Sequence, residues 1–451
     1  MLQSLVVPAL PTLQSDLHTT PTGVTWIFTA YLLSASVATP IAGRLGDMFG
    51  KKRTLVVVLV GLAAGTLLAA LATTLPVMIG ARTIQGLGGA IFPLAFGIIR
   101  DEFPRERVAG GIALISGLLG VGAGLGIILA GPILEHLDYH WLFWIPLALI
   151  IVTTIATMLA VPESPVRAPG NVNWAGAVLL SLWLVCVLLA ISEAPTWGWL
   201  SGRTLGLLGL GVVLALAWIR AETRSSSPLV DMRMMRLRGV WTTNLVGLLL
   251  GIGMYSSFVL IPQFVETPTS SGYGFGSSVT QAGLFLVPST LAMMIAGPVG
   301  GRLSGRFGSK VPLVLGVAVT LLAFVLLAVA HTTHWQIYLS SLLIGTGVGF
   351  AFASMANLIV EAVRADQTGV ATGMNAVMRT IGGAVGGQVA ASILAANLLA
   401  SGTPSERGYT LSFVIMAISL AAALVASLVV PGRQPHRMRV VTLSEPQASI
   451  D

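Results

Sequence analysis

Two arginines stand inside long apolar stretches, where a charged side chain needs a physical reason to be. Arg82 precedes Gln85 by three residues and Arg379 follows Asn375 by four, so on helices each pair would share one face. A guanidinium within a membrane is costly, and it is normally retained because it faces a cavity or a polar partner. We predict such a position for both arginines. Two alternatives stay open: Arg82 could snorkel to the outer interface, and Arg379 could simply bond one helix to another.

A second group of residues that could do chemistry lies between two apolar stretches. Gly43 and Gly50 frame Asp47, and Lys51 and Lys52 follow directly. The glycines allow close helix approach and unusual backbone angles. The Asp47 carboxylate could be held by an arginine or by the N-terminus of a neighbouring helix. The pattern predicts a short gating loop whose acid latches one face of the molecule; the alternative is ordinary membrane topology with one incidental acid.

The composition indicates which elements must position these residues. Of 451 residues, 55% are hydrophobic and 9% are charged, whereas an ordinary soluble domain has about 25% charged residues. Both a soluble chain and a disordered one are therefore excluded. What remains is an all-α polytopic membrane protein, because helices satisfy their own backbone in lipid and the apolar runs lack the alternation of barrel strands.

The apolar runs predict how often the chain crosses the membrane. A helix that crosses about 30 Å of hydrocarbon needs roughly 20 apolar residues. The sequence has about thirteen such runs, at approximately 22–43, 54–73, 75–100, 108–134, 141–161, 174–194, 204–221, 239–265, 278–301, 311–330, 335–358, 368–396 and 408–430. The segment Met1–Ser15 is apolar but too short to cross, and we interpret it as part of a first span whose front is missing.

The basic residues predict the orientation of these spans. Of the 24 lysines and arginines, 20 fall on one side, two on the other and two inside spans. Because cytoplasmic loops are enriched in Lys and Arg, the basic side and the C-terminal tail are expected to be cytoplasmic. The net charge of +7 then follows from membrane topology, and we expect no nucleic-acid partner.

An internal repeat predicts the domain organisation. The segment Gly43–Gly50 resembles Gly301–Gly308, 258 residues later, and Gly305 stands where the first copy has Asp47. Parallel duplication of a helix bundle produces this pattern and points to a transporter with two similar halves. We predict two six-helix bundles plus an inserted helix pair. The expected domains are an N-terminal bundle at 1–162, the pair at 163–225, a C-terminal bundle at 226–430 and a cytoplasmic tail at 431–451.

Two motifs carry a resemblance to a known family. The segment from Gly43 to Lys52 matches G-x-L-x-D-x-x-G-[RK]-[RK], and Arg82 to Ala90 matches R-x-x-Q-G-x-G-x-A. In these motifs the sequence resembles the major facilitator superfamily, and its fourteen-span arrangement is similar to the drug:proton antiporter branch. The resemblance covers essentially the whole chain. Trp26 and Tyr31 match the family's second-span W-x-x-x-x-Y pattern, which implies that they line a pathway. The alternative is that each is an interface anchor or makes a hydrogen bond between helices.

The resemblance also implies a function. Members of this branch export drugs and other amphiphilic compounds by alternating access, driven by proton influx, and the residue that matches Arg82 is linked to proton transfer. Gln85, Asn375 and Arg379 become candidates for the same coupling. The expected partners are a small-molecule substrate, protons and the lipid of the plasma membrane, and the protein is expected to be a monomer. One departure weakens the antiport interpretation: the fifth span has Gly126-Ile127 where the family's motif has Gly-Pro.

Two other functions are alternatives to drug export. The same machine could carry another small solute or a metabolite that the organism makes. A membrane-embedded enzyme would need a converging set of groups within its spans, such as Ser with His, paired Asp or metal ligands. The predicted spans contain no such set, so we expect no enzyme activity, no catalytic residues, no metal site and no cofactor.

Overall fold

The computed structural model describes residues 1–6, 8–19, 21–165, 173–399 and 403–432. The helices are α1 (Leu2–Val6), α2 (Leu10–Asp16), α3 (Pro21–Phe49), α4 (Lys51–Ala70), α5 (Leu75–Gln85), α6 (Ile91–Glu102), α7 (Arg105–His136), α8 (Trp141–Ala160), α9 (Trp174–Trp197), α10 (Gly202–Arg224), α11 (Met232–Met235), α12 (Arg238–Glu266), α13 (Val279–Phe285), α14 (Val287–Phe307), α15 (Lys310–Val329), α16 (His334–Ala362), α17 (Thr368–Ala396) and α18 (Glu406–Val429). Short 3-10 turns lie at Gly86–Ala90, Thr269–Ser271 and Ala365–Gln367.

The predicted membrane spans are confirmed. Within the described ranges, 13 helical segments are long and apolar enough to cross a membrane, and each overlaps one predicted run. The apolar start of the chain forms the two short helices α1 and α2, which pack against α3, α7 and α8. Most of the predicted tail at 431–451 lies outside the described residues.

The spanning helices pack into two groups. In the first, α4 packs against α5 and α8, and α3 packs against α4 and α5. In the second, α12 packs against α17 and α18, while α16 contacts α14 and α15. We call these the first and second halves, for helices α1–α8 and α12–α18; the exact domain limits stay a prediction.

The two halves meet along two seams. In the α7–α14 seam, a methyl group added at Gly297 would lie 2.8 Å from the Ala113 carbonyl oxygen, and one added at Gly301 would lie 2.5 Å from the Ala113 side chain. These glycines therefore let two helix backbones pack directly against each other. In the second seam, α3 and α6 of the first half contact α17 of the second.

The inserted helices α9 and α10 pack on each other and join the bundle through α9, which contacts α3 and α17. The indole rings of Trp183 and Trp218 lie between them, with centroids 5.9 Å apart. Helix α10 leaves a row of large apolar side chains exposed, including Leu205, Val213 and Leu216. In a membrane this row would face lipid, so α10 forms the outer layer of the pair.

The predicted gating loop is wrong in one respect, because nearly all of it is helical. Helix α3 continues through Asp47 to Phe49, and α4 begins at Lys51, so Gly50 is the only residue between them. Arg44 and Asp47 end the apolar run but do not end the helix, since both tolerate helical geometry beyond the hydrocarbon. Gly50 makes the reversal with φ at 113°, and Gly308 of the second copy does so with φ at 84°.

Candidate functional site

Arg82 lies inside the first half with no exposed surface. Its Nε donates to the Ile27 carbonyl at 3.1 Å and its Nη1 donates to Gln85 Oε1 at 2.7 Å. The guanidinium carbon stands 4.7 Å from the centroid of the Tyr31 ring, which is a cation–π contact. Nη2 is buried without a hydrogen-bond partner among the described residues. Arg82 therefore points into the bundle, and the snorkelling alternative does not fit this geometry.

Gln85 connects Arg82 to helix α4. A guanidinium can only donate, so the Gln85 amide must turn its oxygen to Arg82 and its nitrogen away. That nitrogen donates to Thr66 Oγ1 at 3.1 Å. The glycines that follow Gln85 in the motif allow α3 to approach, since a methyl group at Gly86 would lie 2.5 Å from Ser34. The motif thus builds a buried polar chain from α5 to α4.

Arg379 forms a second polar chain, in the second half. Its Nη1 donates to Asn375 Oδ1 at 2.5 Å, and Asn375 Nδ2 donates to Asn244 Oδ1 at 3.0 Å on α12. The guanidinium carbon lies 4.6 Å from the ring centroid of Phe352 on α16. Helix α12 comes very close here, because a methyl group at Gly251 would clash with the Arg379 carbonyl oxygen.

A small cavity separates the two halves beside Arg379. Its volume is about 20 Å³, which is room for about one water molecule. Its lining residues are Phe92, Phe96, Ser116 and Leu119 from the first half and Phe352, Ala356 and Arg379 from the second. Among the described residues this lining includes Arg379 but not Arg82. Arg379 therefore lies at this cavity, and none of the ion pairs among the described residues includes it. That it takes part in transport stays a prediction.

Asp47 joins the two halves at the end of the molecule that carries most of the basic residues, which we call the basic end. Its side chain is buried and accepts the backbone N–H groups of Gly369 at 3.3 Å and Val370 at 3.2 Å. These groups belong to the first turn of α17, where the helix dipole favours a negative charge. Gly43 permits the approach, because a methyl group there would lie 2.5 Å from the Gly369 carbonyl oxygen.

Lys51 binds two carboxylates beneath this contact. Its ammonium lies 2.7 Å from Asp101 Oδ2 and 3.5 Å from Asp47 Oδ1, and all three side chains are buried. Asp101 also accepts the hydroxyl of Ser164. The lysine stem fits against Gly97, where a methyl group would stand 2.7 Å from it. This cluster fixes the ends of α3, α4 and α6 relative to one another.

Arg100 is a contact across the halves that the sequence reasoning missed. It donates to the carbonyls of Val363 at 2.7 Å and Arg364 at 3.1 Å, and to Thr368 Oγ1 at 2.6 Å. The Arg364 side chain itself pairs with Asp366, and that hydrogen bond raises the pKa of Arg364. In the sequence Arg100 is one of twenty basic residues on one side. Nothing local distinguishes it, because its partners are more than 260 residues away.

The remaining candidate residues make fewer contacts. Lys52 contributes its backbone N–H, which donates to Glu163 Oε1 at 3.1 Å and so helps to cap the start of α4. Trp26 is half-buried in the first part of α3, and Tyr31 is the residue under Arg82. That these two aromatic residues line a pathway stays a prediction.

Comparison with known proteins identifies the family. The family model described as Major Facilitator Superfamily matches residues 1–387. The chain belongs to the major facilitator superfamily. As a member of this superfamily it is an integral membrane transporter and not an enzyme, and the resemblance seen in the two motifs is confirmed.

Several members of the superfamily that resemble this chain are named as exporters. It is 28% identical to the tetracenomycin C resistance and export protein of Streptomyces glaucescens, over 82% of this chain and 69% of that protein. It is also 28% identical to the multidrug transporter protein MdtP of Bacillus subtilis, over 82% and 68%. The crystal structure of the human organic anion transporter MFSD10 matches with a TM-score of 0.68 at 17% identity, covering 94% of this chain and 95% of that one. That last likeness supports the fold alone.

Proposed function

We propose that this member of the superfamily exports amphiphilic organic compounds, including drugs, across the plasma membrane in exchange for protons. The basic end and the C-terminus would face the cytoplasm. Two relatives with export or multidrug transport in their names support the substrate class. The observation that carries the mechanism is the Asp47 carboxylate on the first turn of α17, because it joins the two halves at the basic end through hydrogen bonds that can be broken.

Alternating access requires two seals that open in turn around one cavity. At the basic end, Asp47 and Arg100 bond the halves through backbone groups of the second half. At the opposite end, the Thr280 hydroxyl donates to Glu135 Oε1 at 2.6 Å and bonds α13 to α7. The seal at the basic end also includes apolar packing, because Phe96 and Ile99 of α6 lie in one buried cluster with Ala356 of α16. Relative rotation of the halves would exchange the hydrogen bonds of each seal for hydrogen bonds to water at modest net cost.

Proton coupling is supported by the buried series of hydrogen bonds that runs from Arg82 through Gln85 to Thr66. The fixed positive charge of Arg82 disfavours protonation of any group that comes close to it. Its free Nη2 is a donor available to water or to a transient acceptor. In this mechanism a proton that has entered from outside is carried by such a group. Arg82 then drives release of the proton from that group when it comes close.

The experiment that tests export is uptake into inverted membrane vesicles that contain the protein. We expect amphiphilic dyes to accumulate when the vesicle interior is acidic, and this accumulation to collapse when a protonophore is added. Vesicles from the same cells without the protein give the background. Dye movement that is independent of the proton gradient would contradict antiport while leaving transport itself in place.

Replacing Asp47 by asparagine is expected to slow turnover with little change in substrate affinity. Asparagine keeps one oxygen, but its NH₂ group cannot accept the second backbone N–H of α17, so the seal weakens by about 1–3 kcal/mol. We expect roughly a tenfold fall in vesicle uptake and a longer distance between spin labels at Arg53 and Arg238, two exposed sites on the two halves.

The matched control for this variant is Asp138→Asn, which removes one exposed carboxylate outside the seam. It should leave both turnover and label distance unchanged. Unchanged turnover in Asp47→Asn would count against a latch at this contact.

A further inference from the structure

We propose that Arg379 binds an anionic group of the transported compound, so that the carrier prefers amphiphiles with a carboxylate or phenolate over neutral or cationic ones of the same shape. This inference rests on the export function proposed above. It concerns a feature that the coupling role leaves unexplained, namely a permanent cation in the wall of the cavity between the halves.

Most of the hydrogen-bonding capacity of Arg379 is unused. A guanidinium has five N–H donors in a planar fork and does not lose its charge in proteins. The one hydrogen bond that this side chain makes with the described residues is from Nη1 to Asn375. Nε and Nη2 have no partner there, and the side chain lies at the cavity. The free edge of the fork matches the two oxygens of a carboxylate.

The charge of Arg379 is also not neutralised by the protein. None of the six ion pairs among the described residues includes it. Its neighbours include the neutral amide of Asn375, the ring of Phe352 and the phenol of Tyr255. Charges attract more strongly in a water-poor site than in bulk water. The Arg379 guanidinium would therefore attract an incoming anion and repel a cation.

The surroundings fix the position of this guanidinium and leave most of its N–H donors unused. Asn375 must present its oxygen to Arg379, and its nitrogen is in turn fixed by Asn244. Phe352 covers one face of the fork. The chain of amides and the ring restrict the rotamers of a long side chain, which lowers the entropy that binding must overcome.

The other lining residues suit the apolar body of such a compound. Phe92 and Phe96 lie in the opposite wall with ring centroids 6.4 Å apart, and Leu119 is beside them. One cationic point in an aromatic and aliphatic wall is complementary to an aromatic amphiphile with one acidic group. The volume of about 20 Å³ means that the halves must part before such a compound enters. Arg379 would then stay with the second half, and Phe92 and Phe96 with the first.

A direct test measures equilibrium binding of three probes to the full chain in lipid nanodiscs. The probes are an anthracene carboxylate, the matching carboxamide and the matching methylammonium, which share one ring system and differ in charge. We expect the carboxylate to bind most tightly. In Arg379→Gln its affinity should fall about 10- to 100-fold, while carboxamide affinity should change less than about twofold.

A second variant keeps the test decisive if Arg379→Gln fails to fold. Asn375→Asp is nearly isosteric and retains the guanidinium, but it places a carboxylate at the position 2.5 Å from Nη1. That internal anion should remove the preference for the carboxylate probe and leave carboxamide binding intact. Arg203→Gln, which removes an exposed arginine, is the matched control and should behave as the wild type does.

The proposal is overturned if the wild type binds carboxylate and carboxamide equally, or binds none of the three probes. It is also overturned if both variants keep the wild-type preference. The export proposal fails separately: vesicle uptake of every probe would then be independent of the proton gradient, even though the binding preference for the carboxylate persists.

Discussion

Replacing Arg82 by alanine is expected to abolish proton-coupled transport while the protein still inserts and folds. The variant loses the cation–π contact with Tyr31 and the donors to Ile27 and Gln85. Each charged hydrogen bond contributes about 1.5–3 kcal/mol, so we expect proton-driven vesicle uptake to fall roughly 100-fold or more. Insertion should survive, because removing a buried guanidinium also removes its desolvation penalty.

Two further variants define the cause of that loss. Arg82→Lys keeps the positive charge but lacks the fork that reaches Ile27 and Gln85 together, so we expect it to remain impaired. Arg203→Ala removes an exposed arginine and should transport normally. Amounts of folded protein are compared by size-exclusion chromatography with fluorescence detection. Proton-driven uptake by Arg82→Ala at the wild-type rate would refute a coupling role.

Replacing Lys51 by methionine is expected to produce the largest loss of stability. The ammonium lies between Asp47 and Asp101, and its removal leaves two buried carboxylates without their cation. Breaking a buried ion pair in this way costs about 3–5 kcal/mol in the free energy of unfolding. Unfolding in increasing denaturing detergent, followed by tryptophan fluorescence, measures the change. The methionine retains most of the apolar stem that packs against Gly97.

The neighbouring lysine provides the control for this prediction. Lys52 is in no ion pair among the described residues, so Lys52→Met should change the free energy of unfolding by less than about 0.5 kcal/mol. The double variant Lys51→Met with Asp101→Asn removes one of the two uncompensated charges. It should recover a substantial part of the lost stability, and a further decrease would contradict the assignment of this cluster as an electrostatic anchor.

The membrane spans could be predicted from the sequence because the bilayer dictates their length and composition. Charged residues predicted the ends of the helices less well than apolar length predicted their positions. The run that ends at Gly43 continues as helix to Phe49, since residues beyond the hydrocarbon can stay helical when the backbone reverses only at Gly50. Apolar length therefore located the helices, while positive-φ glycines determine where three of them end, namely α3, α9 and α14.

The candidate site was predictable only within single helices. The spacing of Arg82 and Gln85, and of Asn375 and Arg379, placed each pair on one face, and each pair is hydrogen-bonded. Periodicity indicates a face but not the neighbour that covers it. Thr66, Asn244 and Phe352, which complete the two chains, come from other helices. The same limit explains why Arg100 was missed.

The two repeats differ in a way that bears on how the halves move. The first carries Asp47 at its turn, whereas the second carries Gly305, where an added methyl group would meet nothing within 4 Å. Backbones touch in both seams, at Gly297 and Gly301 of α14 and at Gly43 of α3 against Gly369 of α17. Asp47 adds a carboxylate contact to the α3–α17 seam. Because water can replace a carboxylate contact more easily than backbone packing, we expect the halves to part first along α3–α17 and to turn about α7–α14.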